Sequence, residues 1–360
     1  MIVIHIGLKK CGSASLQTFL STNEKQLSNL SIEYPRAGRD SNSQDKAGRE
    51  RKAHNNIAKE ILGVKRPISQ PRALLECVGH WAQITSRTMV LSSEVFEGAT
   101  KEGIQYLKQA FLRWRPEEQF TIFLMIRDLI DIMPSSYAQK IKHGFHTYDF
   151  DTFFAGRIEE PRVHYFDTAE RWADVFGWDS MQIRLLDRCH LTNGDLLDDF
   201  LAMLSESGAA TDGAVLNRTG VMNSAPGWKT LEAIRALFGD GHSLPEHHRL
   251  WKFVGRRPSK RIGICAVELG EKRGWNRERG RYLTREQAER CLAIYAANVE
   301  KLNRRALKAL PLPASLGNRG FMAREFMPKA CHISRYELHE FYNDLAGSLE
   351  KVSAARQRVR

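Results

Sequence analysis

No stretch of this 360-residue chain stays apolar for long: runs such as "IFLMI" at 122–126 fall far short of the roughly 18 residues a membrane-crossing helix needs. No span is expected. The opening "MIVIHIGLKK" puts its lysines behind a short apolar run, the reverse of a secretory signal, so a soluble, cytoplasmic protein is expected. The six cysteines, Cys11, Cys77, Cys189, Cys265, Cys291 and Cys331, form no CxxC pair and no His/Cys cluster at zinc spacing. That argues against both a disulfide framework and a structural metal. Acidic residues are scarce, 42 Asp and Glu against 54 Lys and Arg, a net charge of +12. The excess favours anionic partners. No aromatic RNP stretch and no C2H2 spacing is present, so nucleic acid is not the expected partner.

What is present is an alternation of short apolar runs with helical patterns, and 42% hydrophobic residues to build a core. "IVIHIG" (2–7), "RTMVLSSE" (87–94), "EQFTIFLMIRD" (118–128) and "DSMQIRLLD" (179–187) read as strands. Between them lie helical segments such as "SASLQTFLSTNEKQL", "AHNNIAKEILG" and, after the last strand, "DLLDDFLAML". Strands that alternate with helices imply crossovers, hence an α/β fold with a central parallel sheet flanked by helices. From "WKTLEAIRALF" onward the chain reads as mostly helical, a C-terminal cap. The expected organisation is one α/β domain over 1–310, with an exposed polar loop at 36–52 and a largely helical part at 226–310, followed by a helical extension over 311–360. A Ser/Gly/Ala/Asn-rich loop is expected at 207–225, and basic loops at 255–261 and 271–281.

Two constellations carry chemistry. After the first strand, "GLKKCGS" places Gly7 and Gly12 as a phosphate-binding loop would. The lysine that should follow the second glycine is missing, because Ser13 stands there and the lysines come earlier, at Lys9 and Lys10. A tight turn followed by a helix N-terminus can still converge amide groups on an anion, with hydroxyls from Ser13 and Ser15. The second constellation is Arg127 at the end of a strand, with Ser135 eight residues on. An arginine at the carboxyl end of a parallel strand lies on the ligand-binding edge of such sheets, and its fork suits phosphate. Each feature also has a purely structural reading: a plain strand-to-helix turn for the loop, and a pairing of Arg127 with Asp128 or Asp131.

Together the two stretches resemble the sulfotransferases that use 3′-phosphoadenosine-5′-phosphosulfate (PAPS), particularly bacterial proteins whose first strand runs into "H-I-G-x-x-K-T-G-T-T-S-L-Q". His5, Ile6, Gly7, Lys10, Gly12, Ser15, Leu16 and Gln17 stand at the matching places, and "SxYxQxIKxG" fits Ser135, Tyr137, Gln139, Ile141, Lys142 and Gly144. The resemblance implies a P-loop-like fold and a sulfotransferase-like domain. It makes Lys10, Cys11, Gly12, Ser13, Ala14 and Ser15 the 5′-phosphosulfate site, and Arg127 and Ser135 the 3′-phosphate site. Cys11, Ser13 and Ala14 replace the family's threonines; Ser13 keeps a hydroxyl, Cys11 is a weak donor, and Ala14 supplies only its amide. Lys9 is an extra cation, expected to point to solvent.

The implied reaction moves a sulfuryl group from PAPS to a hydroxyl or amine of a carbohydrate or glycolipid, without a metal. Lys10 would stabilise the leaving group, adenosine 3′,5′-bisphosphate. Related enzymes use a Glu or a His as base, and two candidates stand here: Glu94, at the end of a strand, and His54, in "KAHNNIAKE". Two other readings stay open, a P-loop kinase or NTPase and a non-catalytic polyanion-binding protein on the same fold. The acceptor and the oligomeric state are not legible.

Overall fold

The computed structural model describes residues 1–39, 52–62, 72–84, 88–145, 147–211, 216–218, 226–239, 250, 260–277, 282–305, 312–313 and 333–357. Most of the expected 36–52 loop and the 314–332 stretch of the extension lie outside them, as do parts of the loops at 207–225, 255–261 and 271–281. The strands are β1 (Ile2–Ile6), β2 (Ile32–Glu33), β3 (Thr88–Ser93), β4 (Phe120–Ile126) and β5 (Met181–Leu185). They form one sheet in the order β2-β3-β1-β4-β5, every pairing parallel. Parallel strands covered on both faces need apolar residues at successive positions. β1 is buried along its whole length, and so is β3. β5, at one edge, alternates instead, with Gln182 and Arg184 partly exposed and Arg184 ion-paired to Glu206.

The helices, in chain order, are α1 (Ser13–Thr22), α2 (Glu24–Asn29), α3 (Asn55–Glu60), α4 (Ala73–Gln83), α5 (Lys101–Leu112), α6 (Leu129–Lys142), α7 (Phe150–Ile158), α8 (Tyr165–Phe176), α9 (Leu196–Glu206), α10 (Trp228–Phe238), α11 (Lys260–Lys272), α12 (Arg285–Arg305) and α13 (Arg335–Gln357). No helix among the described residues is long and apolar enough to cross a membrane. Contacts divide the chain into two compact units. The first comprises Met1–Asp128, Pro161–Met222 and Ile294–Leu316; the second comprises Leu129–Glu160, Asn223–Ala293 and Gly317–Arg360. α6 and α7 group with the later helices in the second unit.

The first unit holds the sheet. Phe123 on β4 meets His5 on β1 at 5.4 Å and Phe200 on α9 at 5.5 Å, so strands and helix share one aromatic layer. The second unit has a core of its own, in which Tyr137 contacts Phe150, Phe153 and Tyr282 at 5.2–5.4 Å between ring centres. Tyr137 is buried there and its hydroxyl donates to the Tyr148 carbonyl at 3.2 Å, a packing role. Of the expected exposed loop, Arg36 is exposed, whereas Gly38 and Arg39 are buried. Arg39 donates to the Pro35 carbonyl at 2.8 Å and to Glu24 at 2.6 Å, which satisfies a charge that burial would otherwise make costly.

Sheet order sets where a ligand can sit. The connection after β1 runs toward β2 and β3, and that after β4 runs toward β5. The carboxyl ends of the neighbours β1 and β4 therefore flank a topological switch point, where open α/β sheets form a crevice.

Candidate functional site

Residues 7–12 leave β1 at that switch point. Gly7 is pinned first: its amide donates to the Ser93 carbonyl at 3.0 Å. A Cβ here would stand 2.7 Å from the Ser13 hydroxyl and 3.1 Å from the Glu94 amide, closer than such atoms approach. Only glycine fits. Beyond it the chain turns through two left-handed residues, Lys10 at φ 67° and Gly12 at φ 81°.

Four carbonyls of the turn are occupied from the protein side. The Leu8 carbonyl accepts from the Cys11 amide and the Ser13 hydroxyl, both at 3.3 Å. The Lys9 carbonyl accepts from the Cys11 thiol at 3.6 Å, and the Lys10 carbonyl from Arg127 Nη1 at 3.2 Å. The Gly12 carbonyl takes the amides of Ser15 and Leu16, at 3.0 and 3.1 Å. Negative ends of the peptide dipoles are thereby committed, and the first-turn amides of Ser13 and Ala14 have no intrahelical acceptor to use. Among the described residues no side chain caps this end of α1, and its first turn carries no acidic residue. The helix dipole is left uncompensated by local sequence, with Lys9 and Lys10 just ahead of it. The result is a positively polarised turn, an arrangement that attracts negative charge.

The expected site residues fall into four places. Lys10, Cys11, Gly12, Ser13, Ala14 and Ser15 form the loop and the first turn of α1, and Arg127 joins them through the Lys10 carbonyl. Arg127 is itself anchored, because the Tyr165 hydroxyl donates to its carbonyl at 2.7 Å. The Cys11 side chain is buried, and burial pushes its thiol well above the usual range, so it reaches the site as backbone. Glu94 opens a 3-10 turn, Glu94–Gly98, immediately after β3, with the Ser93 hydroxyl capping that turn through the Val95 amide at 3.0 Å. Burial raises the Glu94 carboxyl above its ordinary value, and the ammonium groups of Lys9 and then Lys10 offset part of the rise. Ser135 lies in the second unit, half-buried on α6.

His54 is placed differently from Glu94. It is fully buried before α3, and both ring nitrogens are engaged with backbone. Nδ1 accepts from the Ser92 amide at 3.1 Å, which puts the proton on Nε2, and Nε2 donates to the Pro35 carbonyl at 2.9 Å. No lone pair is left to take a proton from an acceptor. Its own amide donates to the Ser92 carbonyl at 2.8 Å, so the residue extends β3's pairing. On the neighbouring side the Ser92 hydroxyl meets His5 Nδ1 at 2.8 Å and accepts from Gln17 at 3.2 Å. Burial lowers both His5 and His54 to about 3.

No family model, curated protein or solved structure matches this chain. The chemistry open to the site follows from its own groups: amides and lysines to hold an anion, an arginine beside them, and one carboxylate to move a proton. Among the described residues no His/Cys/Asp/Glu group could hold a metal ion. The left-handed turn at Lys10 carries a cost of roughly 1–2 kcal/mol for any residue with a Cβ. Lys10→Gly is therefore expected to be more stable than Lys10→Ala, by roughly 0.5–1 kcal/mol after glycine's own entropy penalty. Urea denaturation of the two variants reads the difference, since both lack the ammonium.

Proposed function

We propose that the chain is a PAPS-dependent sulfotransferase acting on a hydroxyl or amine of a carbohydrate or glycolipid. The observation that supports it most is the turn in which the carbonyls of Leu8, Lys9, Lys10 and Gly12 are all occupied, leaving amides and lysine at an uncapped helix N-terminus. The lysine precedes the second glycine, as in the sulfotransferase pattern rather than the triphosphate-binding one. The acceptor class rests on the resemblance alone.

In this reading the first-turn amides of α1 hold the 5′-phosphosulfate, and Arg127, beside the same turn, receives the 3′-phosphate. The acceptor oxygen forms its bond to sulfur as the bond from sulfur to the bridging phosphate oxygen breaks, and Lys10 stabilises the charge left on that oxygen. Glu94 takes the acceptor's proton. Positioning and charge stabilisation supply the acceleration, as in phosphoryl transfer.

Calorimetry with adenosine 3′,5′-bisphosphate in EDTA tests this directly. Binding without Mg²⁺ is expected, and Lys10→Ala and Arg127→Ala are each expected to weaken it about 10- to 100-fold, the worth of a charge-assisted hydrogen bond. Mg²⁺-dependent ATP binding in its place would assign the loop to a kinase or NTPase. Transfer of labelled sulfate from PAPS to a panel of glycans and glycolipids then identifies the acceptor.

A further inference from the structure

A second concavity lies at the other end of the sheet. At the amino ends of β4 and β5 a cleft of about 360 Å³ opens, walled by residues of α5, α8 and the short turn Trp178–Ser180. That is within the usual range of ligand pockets, about 300–1,000 Å³. All of its lining belongs to the first unit. The seven residues of β4 separate it from the loop by roughly 20 Å along the strand.

The charged groups of the cleft are already engaged. Glu118 accepts from Trp81 Nε1 at 2.7 Å and meets the Met1 nitrogen at 2.6 Å. Lys108 donates to the Val175 carbonyl at 2.7 Å and lies 5.3 Å from the centre of the Phe176 ring, while Asp179, exposed at the rim, carries the opposite sign. No charge of one sign dominates, so an ion is not the ligand these walls select. The uncommitted groups are neutral. Among the described residues the side-chain amides of Gln119 and Gln182 make no hydrogen bond, and each offers two donors and an acceptor. Thr121, buried on β4, gives its hydroxyl proton to the Met1 sulfur at 3.7 Å, a weak acceptor, and Ser180 gives its own to the Phe176 carbonyl at 2.9 Å. The lone pairs of both hydroxyls are left to accept.

A wholly apolar ligand would strip water from these amides and hydroxyls and return no hydrogen bond. Phe120 and Phe176 stand 4.9 Å apart at 51°, and Trp172 stacks behind Phe176 at 6.0 Å. Rings already in contact leave no slot for a flat heterocycle between them, but their edges give a saturated ring a C–H surface to rest on. A puckered ring bearing hydroxyls, each able to donate and to accept, matches the amides, the lone pairs and the aromatic edges together. We propose that this cleft is a carbohydrate site separate from the loop, that it holds a neutral sugar unit, and that it anchors the distal part of an extended glycan acceptor. The anchoring role rests on the sulfotransferase reading; the sugar site does not. A glycan tethered here presents the rest of its length to the loop at raised effective concentration, so the cleft acts on KM for long acceptors.

NMR titration of nitrogen-15-labelled protein with maltose, cellobiose and lactose reads binding without turnover. At least one of the three is expected to shift the side-chain amide signals of Gln119 and Gln182 saturably, each signal being assigned by its loss in Gln119→Leu or Gln182→Leu. Each variant is expected to weaken that sugar roughly 3- to 10-fold, the worth of one neutral hydrogen bond. With PAPS, Gln182→Leu is expected to raise KM for a polymeric glycan by a similar factor relative to KM for a monosaccharide acceptor. No saturable shift with any of the three sugars overturns the site, and so does binding that both variants leave unchanged. Sugar binding with a KM ratio indifferent to Gln182→Leu overturns the anchoring role. Failure of adenosine 3′,5′-bisphosphate to bind sinks the donor reading, and the disaccharide titration still decides the cleft.

Discussion

Glu94→Gln is expected to bind adenosine 3′,5′-bisphosphate at least as tightly as the unmodified protein while kcat for sulfate transfer falls about 10²- to 10⁴-fold, the usual contribution of a general base. That span corresponds to roughly 3–5 kcal/mol of barrier. The amide keeps the size of the carboxyl and removes its charge and its basicity. Binding should not suffer, because the carboxylate competes with the anion for Lys9 and Lys10. His54→Ala is expected to behave in the opposite way. Removing the ring strands the Ser92 amide and the Pro35 carbonyl in the interior, which costs about 1–3 kcal/mol for each group left unpaired. Denaturation midpoints should fall, while kcat of the fraction that stays folded is preserved. A Glu94→Gln enzyme with full kcat would remove Glu94 from the mechanism.

Acid should unfold the protein by way of its two buried histidines. His5 and His54 are held at about 3, against 6.5 for an exposed imidazole. Above pH 6.5 both states carry the rings neutral, and these residues impose no pH dependence. Below it the unfolded chain takes up protons that the folded chain refuses, so stability falls as pH falls, and the loss levels off near pH 3. Each ring contributes about 1.4 kcal/mol per pH unit in this window, so the pair removes about 3 kcal/mol per unit. Total stabilities are typically about 5–15 kcal/mol, which makes this a dominant effect by pH 5. Urea midpoints measured from pH 7 to 4.5 read the slope, and His54→Asn should reduce it by about half. A flat profile would mean that the rings are reached by solvent.

The fold was largely legible because buried parallel strands announce themselves as unbroken apolar runs. β1, β3, β4 and β5 fall within the segments read as strands, and the α/β class follows from their alternation with helices. β2 escaped because two residues carry no periodicity. α6 begins at Leu129, which is itself buried. Its Pro134 argues for a break by composition, yet the helix continues through it. The loop's residues were legible as a pattern; their carbonyl partners were not, for Arg127 reaches the Lys10 carbonyl across 117 positions of sequence. Lys9 was expected to face solvent, and it is exposed, but its influence on Glu94 arises from the pairing of β1 with β3. His54 read as a candidate base because nothing local announces that Pro35 and Ser92 will claim its two nitrogens.

The two ends of the sheet carry a further consequence. A strand edge is a template on which a foreign strand can add, and proteins guard such edges by making them short or charged. β2 offers only two residues, too few to register an incoming strand, and β5 sets Arg184, tied to Glu206, within its five-residue run. Growth of the sheet is thus discouraged on either side. Among the described residues, neither edge of the sheet presents a long uncharged strand to an incoming one.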